Sequence, residues 1–297
     1  MKSTPQEFTV GITLGDPAGI GPEIIYKALE YFSQLPSAPK FRVIGTTEGT
    51  RVGFPSKISA HLAFDALEES VELLRKKEIH AVVNAPVSKA NLSKVGFRFP
   101  GQTEFYAKRF KLKPTDVTMM MVSDRLRVSL VSTHCSLKES VKLINTKRVF
   151  QTIDRTLKAL TQLGIFQPKV AVCGLNPHAG EEGLFGKEEK RFILPAIQKF
   201  KRDKRGMVSG PYSPDAIFRE ALKGDFNAVV CMYHDQGLIP LKLVGFETGV
   251  NLTLGLPFWR SSPDHGTAFD IAGKGKASPS SIIHAIRLLS RLSVRSG

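Results

Sequence analysis

Residues 127–134 read RVSLVSTH, residues 169–178 read KVAVCGLNPH, and residues 227–234 read NAVVCMYH. Each stretch is a short apolar run that ends in a histidine and is followed by polar or small residues. Such runs are typical of buried β-strands. Ligands bind at the carboxyl ends of the strands in open α/β sheets. The pattern therefore places His134, His178 and His234 at a ligand-binding edge.

Neutral imidazole is a preferred ligand of zinc and similar metals, so three histidines at one edge can converge on a single cation. The alternative is that each is an ordinary strand-end histidine bonded to the backbone, and the repeated placement favours the metal site. The three cysteines, Cys135, Cys173 and Cys231, lack paired C-x-x-C spacing and read as small buried residues. Their low number favours a reducing, cytoplasmic compartment over a disulfide framework.

Apolar runs alternate with amphipathic segments from one end of the chain to the other. This alternation predicts an α/β fold with a largely parallel sheet covered by helices. No boundary is visible, so we expect residues 1–297 to form two interleaved α/β domains. The predicted strands include 8–14, 41–47, 80–86, 169–176 and 226–234, and the predicted helices are 22–35, 63–77, 146–163, 189–202, 213–224 and 282–292.

The chain is strongly basic, with 42 Lys and Arg against 27 Asp and Glu, a formal net charge of +15. The basic residues are dispersed, and no aromatic residues interleave with them as in single-strand-binding surfaces. Arg287, Arg291 and Arg295 recur on one face of the C-terminal helix. We therefore expect a small anionic substrate and not nucleic acid. No apolar stretch approaches the ~20 residues of a membrane span, and the N-terminus does not read as a signal peptide.

A glycine-rich turn, residues 15–23 (GDPAGIGPE), joins the first strand to the first helix. A helix N-terminus favours anions, and glycines permit a close backbone approach. The spacing is not G-x-G-x-x-G, which disfavours a Rossmann site. A purely structural turn is the alternative.

Seven motifs resemble one family, the 4-hydroxythreonine-4-phosphate dehydrogenases of pyridoxal phosphate biosynthesis. They cover the whole chain, and NPHAGE, YHDQG and GLPFWRSSPDHGTAFDIAG are long enough to exclude coincidence. The motifs occupy residues 14–24, 84–92, 100–107, 132–137, 173–189, 210–218 and 232–277.

The resemblance implies an isocitrate/isopropylmalate-dehydrogenase-like fold, with a cleft between two α/β domains, and a homodimer with shared active sites. It also implies NAD (or NADP) and one divalent cation, Zn, Mg or Co. It carries over His134 and His178 as ligands of that cation, with His234 reaching the partner's site. It assigns substrate binding, chiefly of a phosphate, to Gln102, Thr103, Lys242, Asn251 and Arg260, and cofactor contacts to Gly255, Leu256, Pro257, Asp264, His265 and Gly266.

The implied reaction is oxidation of 4-phosphohydroxy-L-threonine to 2-amino-3-oxo-4-phosphooxybutanoate, followed by decarboxylation to 3-amino-2-oxopropyl phosphate. Lys89, Asp215 and Asp235 are the candidates for moving the protons, and the sequence does not choose among them. Three alternatives stay open: a dehydrogenase of another four-carbon phosphorylated hydroxy acid, a metal-dependent hydrolase, and a binding protein without activity.

Two departures from the family pattern bear on the substrate. Gln102 stands where the family has histidine, and glutamine binds a phosphate oxygen without adding positive charge. The region from Arg51 to Phe64 is shorter than expected, and we expect the deletion to trim one domain or to reshape a wall of the cleft.

Overall fold

The computed structural model describes residues 8–36, 38–201 and 203–293, with the side chains after Arg291 left out. Arg202, Arg295 and the side chain of Leu292, which the sequence placed on helices, lie outside these described ranges. A single sheet of ten strands forms the centre of the described chain. The strands are β1 (Thr9–Thr13), β2 (Lys40–Ile44), β3 (Ala81–Asn84), β4 (Thr118–Val122), β5 (Arg127–Leu130), β6 (Lys169–Cys173), β7 (Met207–Tyr212), β8 (Ala228–Cys231), β9 (Val250–Leu254) and β10 (Trp259–Pro263).

The strand order is β2-β1-β3-β10-β9-β4-β5-β8-β6-β7. The first four strands run parallel to one another, as do the last four. Three successive antiparallel pairings join them, from β10 through β9 and β4 to β5. The two parallel sets, which we call wings, therefore run in opposite directions. The chain builds most of the first wing, crosses to the second, and returns through β9 to place β10 in the first.

Helices cover the sheet, as the alternation of apolar runs and amphipathic segments predicts. In the described ranges they are α1 (Gly21–Ser33), α2 (Lys57–Arg75), α3 (Lys89–Leu92), α4 (Gln102–Arg109), α5 (Leu137–Leu143), α6 (Thr146–Gln162), α7 (Leu194–Gln198), α8 (Ile217–Lys223), α9 (His234–Gly245) and α10 (Ser280–Ser293). None of the helices that the structure describes is long and apolar enough to cross a membrane.

The predicted α/β class is confirmed, and two details of the sequence interpretation are wrong. The predicted helix 189–202 is a π-helical turn, Glu189–Ile193, followed by the short α7. Pro195 has no N–H to donate to the preceding turn, so the regular pattern of helix hydrogen bonds is interrupted there. Cys173 and Cys231 are buried as expected, but Cys135 is exposed because it lies in the loop beyond β5.

The glycine-rich turn before α1 packs against the loop that follows β10. Gly19 lies so close to Thr267 that a Cβ at this position would stand 2.7 Å from the Thr267 carbonyl oxygen. Glu23, in the first turn of α1, accepts backbone hydrogen bonds from Gly273 and Ala277. The turn therefore anchors residues 267–277, which directly follow the predicted cofactor residues Asp264, His265 and Gly266.

The shortened region lies against the same two segments. Arg51 and Phe54 close a tight antiparallel turn, and the Gly53 N–H donates to the Ala18 carbonyl at 2.7 Å. A Cβ on Gly53 would stand 3.3 Å from the Phe269 carbonyl oxygen. α2 begins directly afterwards, where Ser56 and Ser59 form a capping box. Residues 51–54 thus form a short flap over the loop that follows β10.

We predict that Glu23→Gln loosens this loop. Burial of the Glu23 carboxyl raises its pKa, but hydrogen bonds from Lys27, Ala277 and Gly273 lower it further, to below the ordinary value. A depressed pKa means that the stabilisation is present above the unfolded pKa of about 4.3 and is lost as the pH falls through the folded pKa. We expect Glu23→Gln to cost about 1 to 2 kcal/mol at pH 7 and to remove this acid dependence.

Denaturant titrations at pH 7 and pH 3.5, with hydrogen exchange of residues 273–277, measure the effect. Glu30→Gln is the matched control, because Glu30 lies on the exposed side of the same helix. Equal stability and equal exchange in the two variants would contradict the role of Glu23.

Candidate active site

The three histidines follow three neighbouring parallel strands. β5, β8 and β6 lie side by side in the sheet, and His134, His234 and His178 come after them in that order. Backbone pairing between β5 and β8 continues past the strands, as the Ser132 N–H donates to the Met232 carbonyl. This pairing carries His134 and His234 forward together, and their ring centroids stand 5.5 Å apart.

His178 is held by an unusual backbone. Residues 178–182 all have positive φ, between 41° and 84°, and they form a left-handed turn. The buried Glu189 carboxylate braces its base, because it accepts the Leu175 and Asn176 N–H groups, each at 2.8 Å, and the Asn176 side chain at 3.0 Å. Sequence patterns gave no sign of this turn beyond Gly180 and Gly183.

The two candidate carboxylates stand at this same edge. Asp215 follows β7, the neighbour of β6, and the nearby His178 contributes to lowering its pKa. The largest cause of that lowering is the hydrogen bond from the Ser213 hydroxyl. Asp235 is exposed, and its carboxylate lies 2.7 Å from Nδ1 of His234. Each carboxylate therefore neighbours one of the histidines.

A cavity of about 250 Å³ opens in the middle of the sheet and reaches this edge. It is lined by residues that follow β3, by the start of β9, by residues of β10, and by residues that follow β5. The predicted site residues around it are Lys89, Gln102, Thr103, His134, Asn251, Arg260 and His265. Asn251 Oδ1 and His265 Nε2 are buried there and have no hydrogen-bond partner among the residues that the structure describes. The cavity thus keeps one acceptor and one ring nitrogen free for a ligand.

Arg260 is the buried cation of this cavity, with 3% of its surface exposed. Its hydrogen bonds go to neutral groups: Asn84 at 2.8 Å, Gln102 at 2.8 Å, Thr253 at 3.2 Å and Thr103 at 3.3 Å. Burial lowers its pKa to about 10. The guanidinium stays charged at neutral pH and carries a positive charge that none of these partners cancels.

A buried hydrogen-bond chain orients Arg260. Asn84 Oδ1 accepts from Nε of Arg260, and Asn84 Nδ2 donates to the Tyr106 hydroxyl at 2.8 Å. Ser70 Oγ donates to the Leu67 carbonyl, so the Tyr106 hydroxyl donates to Ser70 Oγ at 2.6 Å. Asn84, Tyr106 and Ser70 are fully buried. The sequence interpretation missed all three, because each looks like an ordinary strand-end or helix-core residue.

Other predicted site residues lie outside the lining of this cavity. Lys242, expected at the phosphate, forms an ion pair with Asp264 at 3.0 Å. Gly255, Leu256 and Pro257 line a different cavity of about 970 Å³, between α6 and the β9–β10 connection. Of the other predicted cofactor residues, His265 lines the first cavity, and Asp264 and Gly266 are in the lining of neither cavity.

The donor chemistry at the histidine edge suits a divalent cation, because three histidines follow neighbouring parallel strands and because burial and neighbouring positive charges favour the neutral ring of His134. The pKa of His134 is lowered by desolvation and by the charges of Lys89 and His234. Within the described ranges, no group of three His, Cys, Asp or Glu side chains stands close enough together to hold a metal ion.

Fold and site together define a class: an α/β protein of the isocitrate-dehydrogenase-like fold whose cavity is lined by a buried arginine. An isocitrate dehydrogenase from Methylococcus capsulatus shares this fold at a TM-score of 0.58 and 14% identity, covering 97% of this chain and 87% of that one.

The chain belongs to the PdxA family, pyridoxal phosphate biosynthetic protein PdxA, which matches residues 24–289. It is 40% identical to a 4-hydroxythreonine-4-phosphate dehydrogenase of Beijerinckia indica, over 97% of this chain and 96% of the relative. It is also 40% identical to a D-threonate 4-phosphate dehydrogenase of Cupriavidus necator, over 96% and 97%. The crystal structure of a 4-hydroxythreonine-4-phosphate dehydrogenase from Klebsiella pneumoniae superposes at a TM-score of 0.82, with 35% identity over 98% of this chain and 99% of that one. The chain is therefore a dehydrogenase of this family.

We predict that Asn84→Asp weakens anion binding while preserving the shape of the site. A carboxylate 2.8 Å from Nε would neutralise Arg260, so the KM for a phosphorylated substrate should rise at least about tenfold while kcat changes less. Ser70→Ala is the matched control, because it shortens the same chain without adding charge. Steady-state kinetics test this, and an unchanged KM in Asn84→Asp would contradict the orienting role.

Proposed function

We propose that this chain oxidises 4-phosphohydroxy-L-threonine to 2-amino-3-oxo-4-phosphooxybutanoate with NAD, followed by decarboxylation to 3-amino-2-oxopropyl phosphate. The observation that carries the proposal is Arg260, a buried guanidinium with neutral partners at the wall of a small cavity. Such a group favours a phosphate, which accepts charge-assisted hydrogen bonds from the planar fork.

A second substrate, D-threonate 4-phosphate, is favoured by the Cupriavidus necator relative, which is as similar as the Beijerinckia indica one. The two compounds share the phosphate and differ at C2, which carries an ammonium group in the threonine derivative and a hydroxyl in the threonate. Asp215 and Asp235 stand at the histidine edge, and negative charge there favours the ammonium compound. Parallel assays with both substrates separate the two functions.

Around the phosphate, this chain's own residues bind and orient. Gln102 and Thr103 begin α4 and already accept hydrogen bonds from Arg260, so they can turn to the phosphate oxygens when the substrate enters. The free Oδ1 of Asn251 would accept a hydrogen bond from the substrate's hydroxyl or ammonium group. The neighbouring Thr253 hydroxyl keeps Arg260 in place while its other partners exchange.

His134, His178 and His234 would hold the divalent cation, and the loop of Asp264, His265 and Gly266 would contact NAD. When bound, the cation supplies a Lewis acid for the substrate hydroxyl and NAD supplies the hydride acceptor.

Among the three candidates for proton transfer, we propose Lys89. It lines the cavity, and its charge is close enough to His134 to lower the pKa of that ring. Asp215 and Asp235 lie outside the cavity lining and have partners in Ser213 and His234. Lys89 would accept the proton of the substrate hydroxyl and return it after decarboxylation.

We also propose that the two parallel wings are the two interleaved subdomains. We also propose a homodimer with shared active sites, in which His234 of one subunit completes the cation site of the other. The homodimer and the choice of zinc, magnesium or cobalt rest on the family resemblance.

We predict that Arg260→Ala lowers kcat/KM for the phosphorylated substrate by about thirty- to a thousand-fold, because a phosphate loses charge-assisted bonds worth about 2 to 4 kcal/mol. Gln102→His should change KM modestly and make it pH-dependent near pH 6 to 7, with tighter binding below the pKa of the imidazole. Assays of both variants with phosphorylated and unphosphorylated threonine derivatives decide. Preference for the unphosphorylated compound, with little loss in Arg260→Ala, would overturn the phosphate assignment.

A subunit-mixing experiment tests the shared cation site. His178→Ala and His234→Ala should each be inactive, and co-expression should restore activity, because one site of each mixed dimer then has every ligand intact. His134→Ala mixed with His178→Ala is the control and should stay inactive, since both ligands are expected from the same subunit. No recovery in the first mixture would place all three ligands in one chain.

A further inference from the structure

A second basic cavity lies apart from the proposed active site. It has a volume of about 260 Å³ and shares no lining residue with the active-site cavity. Its walls come from the β4–β5 turn, the segment leading into β9, the end of α6, and α10. Three arginines and one histidine line it, Arg127, Arg287, Arg291 and His284, together with the carboxylate of Asp124.

Arg127 is half-buried in this basic cavity, whereas Arg287 and Arg291 are exposed. It is the first residue of β5, and its NH1 donates to the Asn227 carbonyl at 3.3 Å. Its Nε is buried and has no hydrogen-bond partner. A buried donor left unpaired costs free energy, and a guanidinium costs more because it is charged. The pKa of Arg127 is lowered by burial and by the charge of Arg291.

The other cations come from one face of α10, since His284, Arg287 and Arg291 are spaced by three and four residues. Arg287 lies over the Tyr31 ring at 4.9 Å and donates to its hydroxyl, which fixes the guanidinium. His284 Nδ1 donates to the Ser280 carbonyl at 2.8 Å, and its Nε2 faces Asp124 at 3.4 Å. Asp124, the single carboxylate of this lining, is therefore turned toward the histidine.

We propose that this cavity is a binding site for a phosphate-class oxyanion, either free phosphate or the phosphate group of a small metabolite. Arg127 offers a positioned, unpaired N–H, and Arg291 adds a second charge that repels Arg127 until an anion lies between them. A guanidinium fork matches the oxygens of a tetrahedral oxyanion, and the cavity is of small-molecule size. The proposed site thereby assigns a role to the basic residues of α10, which do not line the active-site cavity.

The test must separate this site from Arg260, so it uses Arg260→Met as the background. Inorganic phosphate is titrated against the purified full-length protein, with potassium chloride at matched ionic strength as the reference. We expect the Tm of Arg260→Met to rise by about 5 °C at a phosphate concentration one hundred times Kd. Adding Arg127→Met or Arg291→Gln should abolish that rise.

Arg219→Gln is the matched control, because it removes one exposed positive charge elsewhere and should leave the rise intact. Arg127→Met alone should have a basal Tm at least as high as the parent, because methionine fills the space without an unpaired charge. If Arg127→Met fails to fold, Arg291→Gln decides, since Arg291 is exposed.

Glycerol 3-phosphate, titrated in the same way, distinguishes the source of the anion. Tighter binding than inorganic phosphate indicates a phosphorylated metabolite, and equal or weaker binding indicates free phosphate. A phosphate effect no larger than that of chloride in Arg260→Met, or an equal effect after Arg291→Gln is added, overturns the proposal.

Discussion

The site depends on one constraint: Arg260 must remain charged in the interior although its hydrogen-bond partners are all neutral. The carboxylate of Glu104, which lines the same cavity, favours the charged form without being one of these partners. An arginine has five N–H donors, and four of them are used here by neutral acceptors on four different side chains. A buried carboxylate would relieve the electrostatic cost but would also cancel the attraction for an anion. The protein instead spreads the cost over a network of amides and hydroxyls, and one N–H is left for a ligand.

The reversal of strand direction in the sheet brings the partners of Arg260 together. Arg260 lies on β10, which pairs with parallel β3 on one side and antiparallel β9 on the other. Asn84 ends β3 and Thr253 lies on β9, so the guanidinium takes a partner from each neighbouring strand. The reversal also brings residues that follow β5 in the second wing to the same cavity. In a uniformly parallel sheet, Arg260, near the start of β10, would lie at the opposite edge from His134, which follows the end of β5.

The sequence predicts the features that local patterns determine, such as strand ends, but not the features that depend on tertiary contacts. The strand-end positions of the histidines follow from apolar runs that stop at a polar residue, and β5, β6 and β8 are confirmed. β4 (TMMMV) is buried along its whole length and shows no alternation, while β10 (WRSSP) looks polar, so neither was predicted. The buried hydrogen-bond chain joins Arg260 to Asn84, 176 positions away in the sequence, and Asn84 to Tyr106, 22 positions away. No local sequence pattern encodes such contacts. The ion pair of Lys242 with Asp264 was hidden for the same reason.

The backbone at His178, like the buried charge of Arg260, costs stability in order to hold a site residue in position. Four of the five left-handed residues, His178, Ala179, Glu181 and Glu182, are not glycine, and each costs roughly 1–2 kcal/mol in that conformation. A loop under no other demand would relax to ordinary angles or carry glycine throughout. The buried Glu189 carboxylate offsets part of the cost by binding two backbone N–H groups at the base of the turn. Backbone strain that is held by surrounding contacts concentrates at functional sites. We therefore infer that the strained turn serves to hold His178 in position.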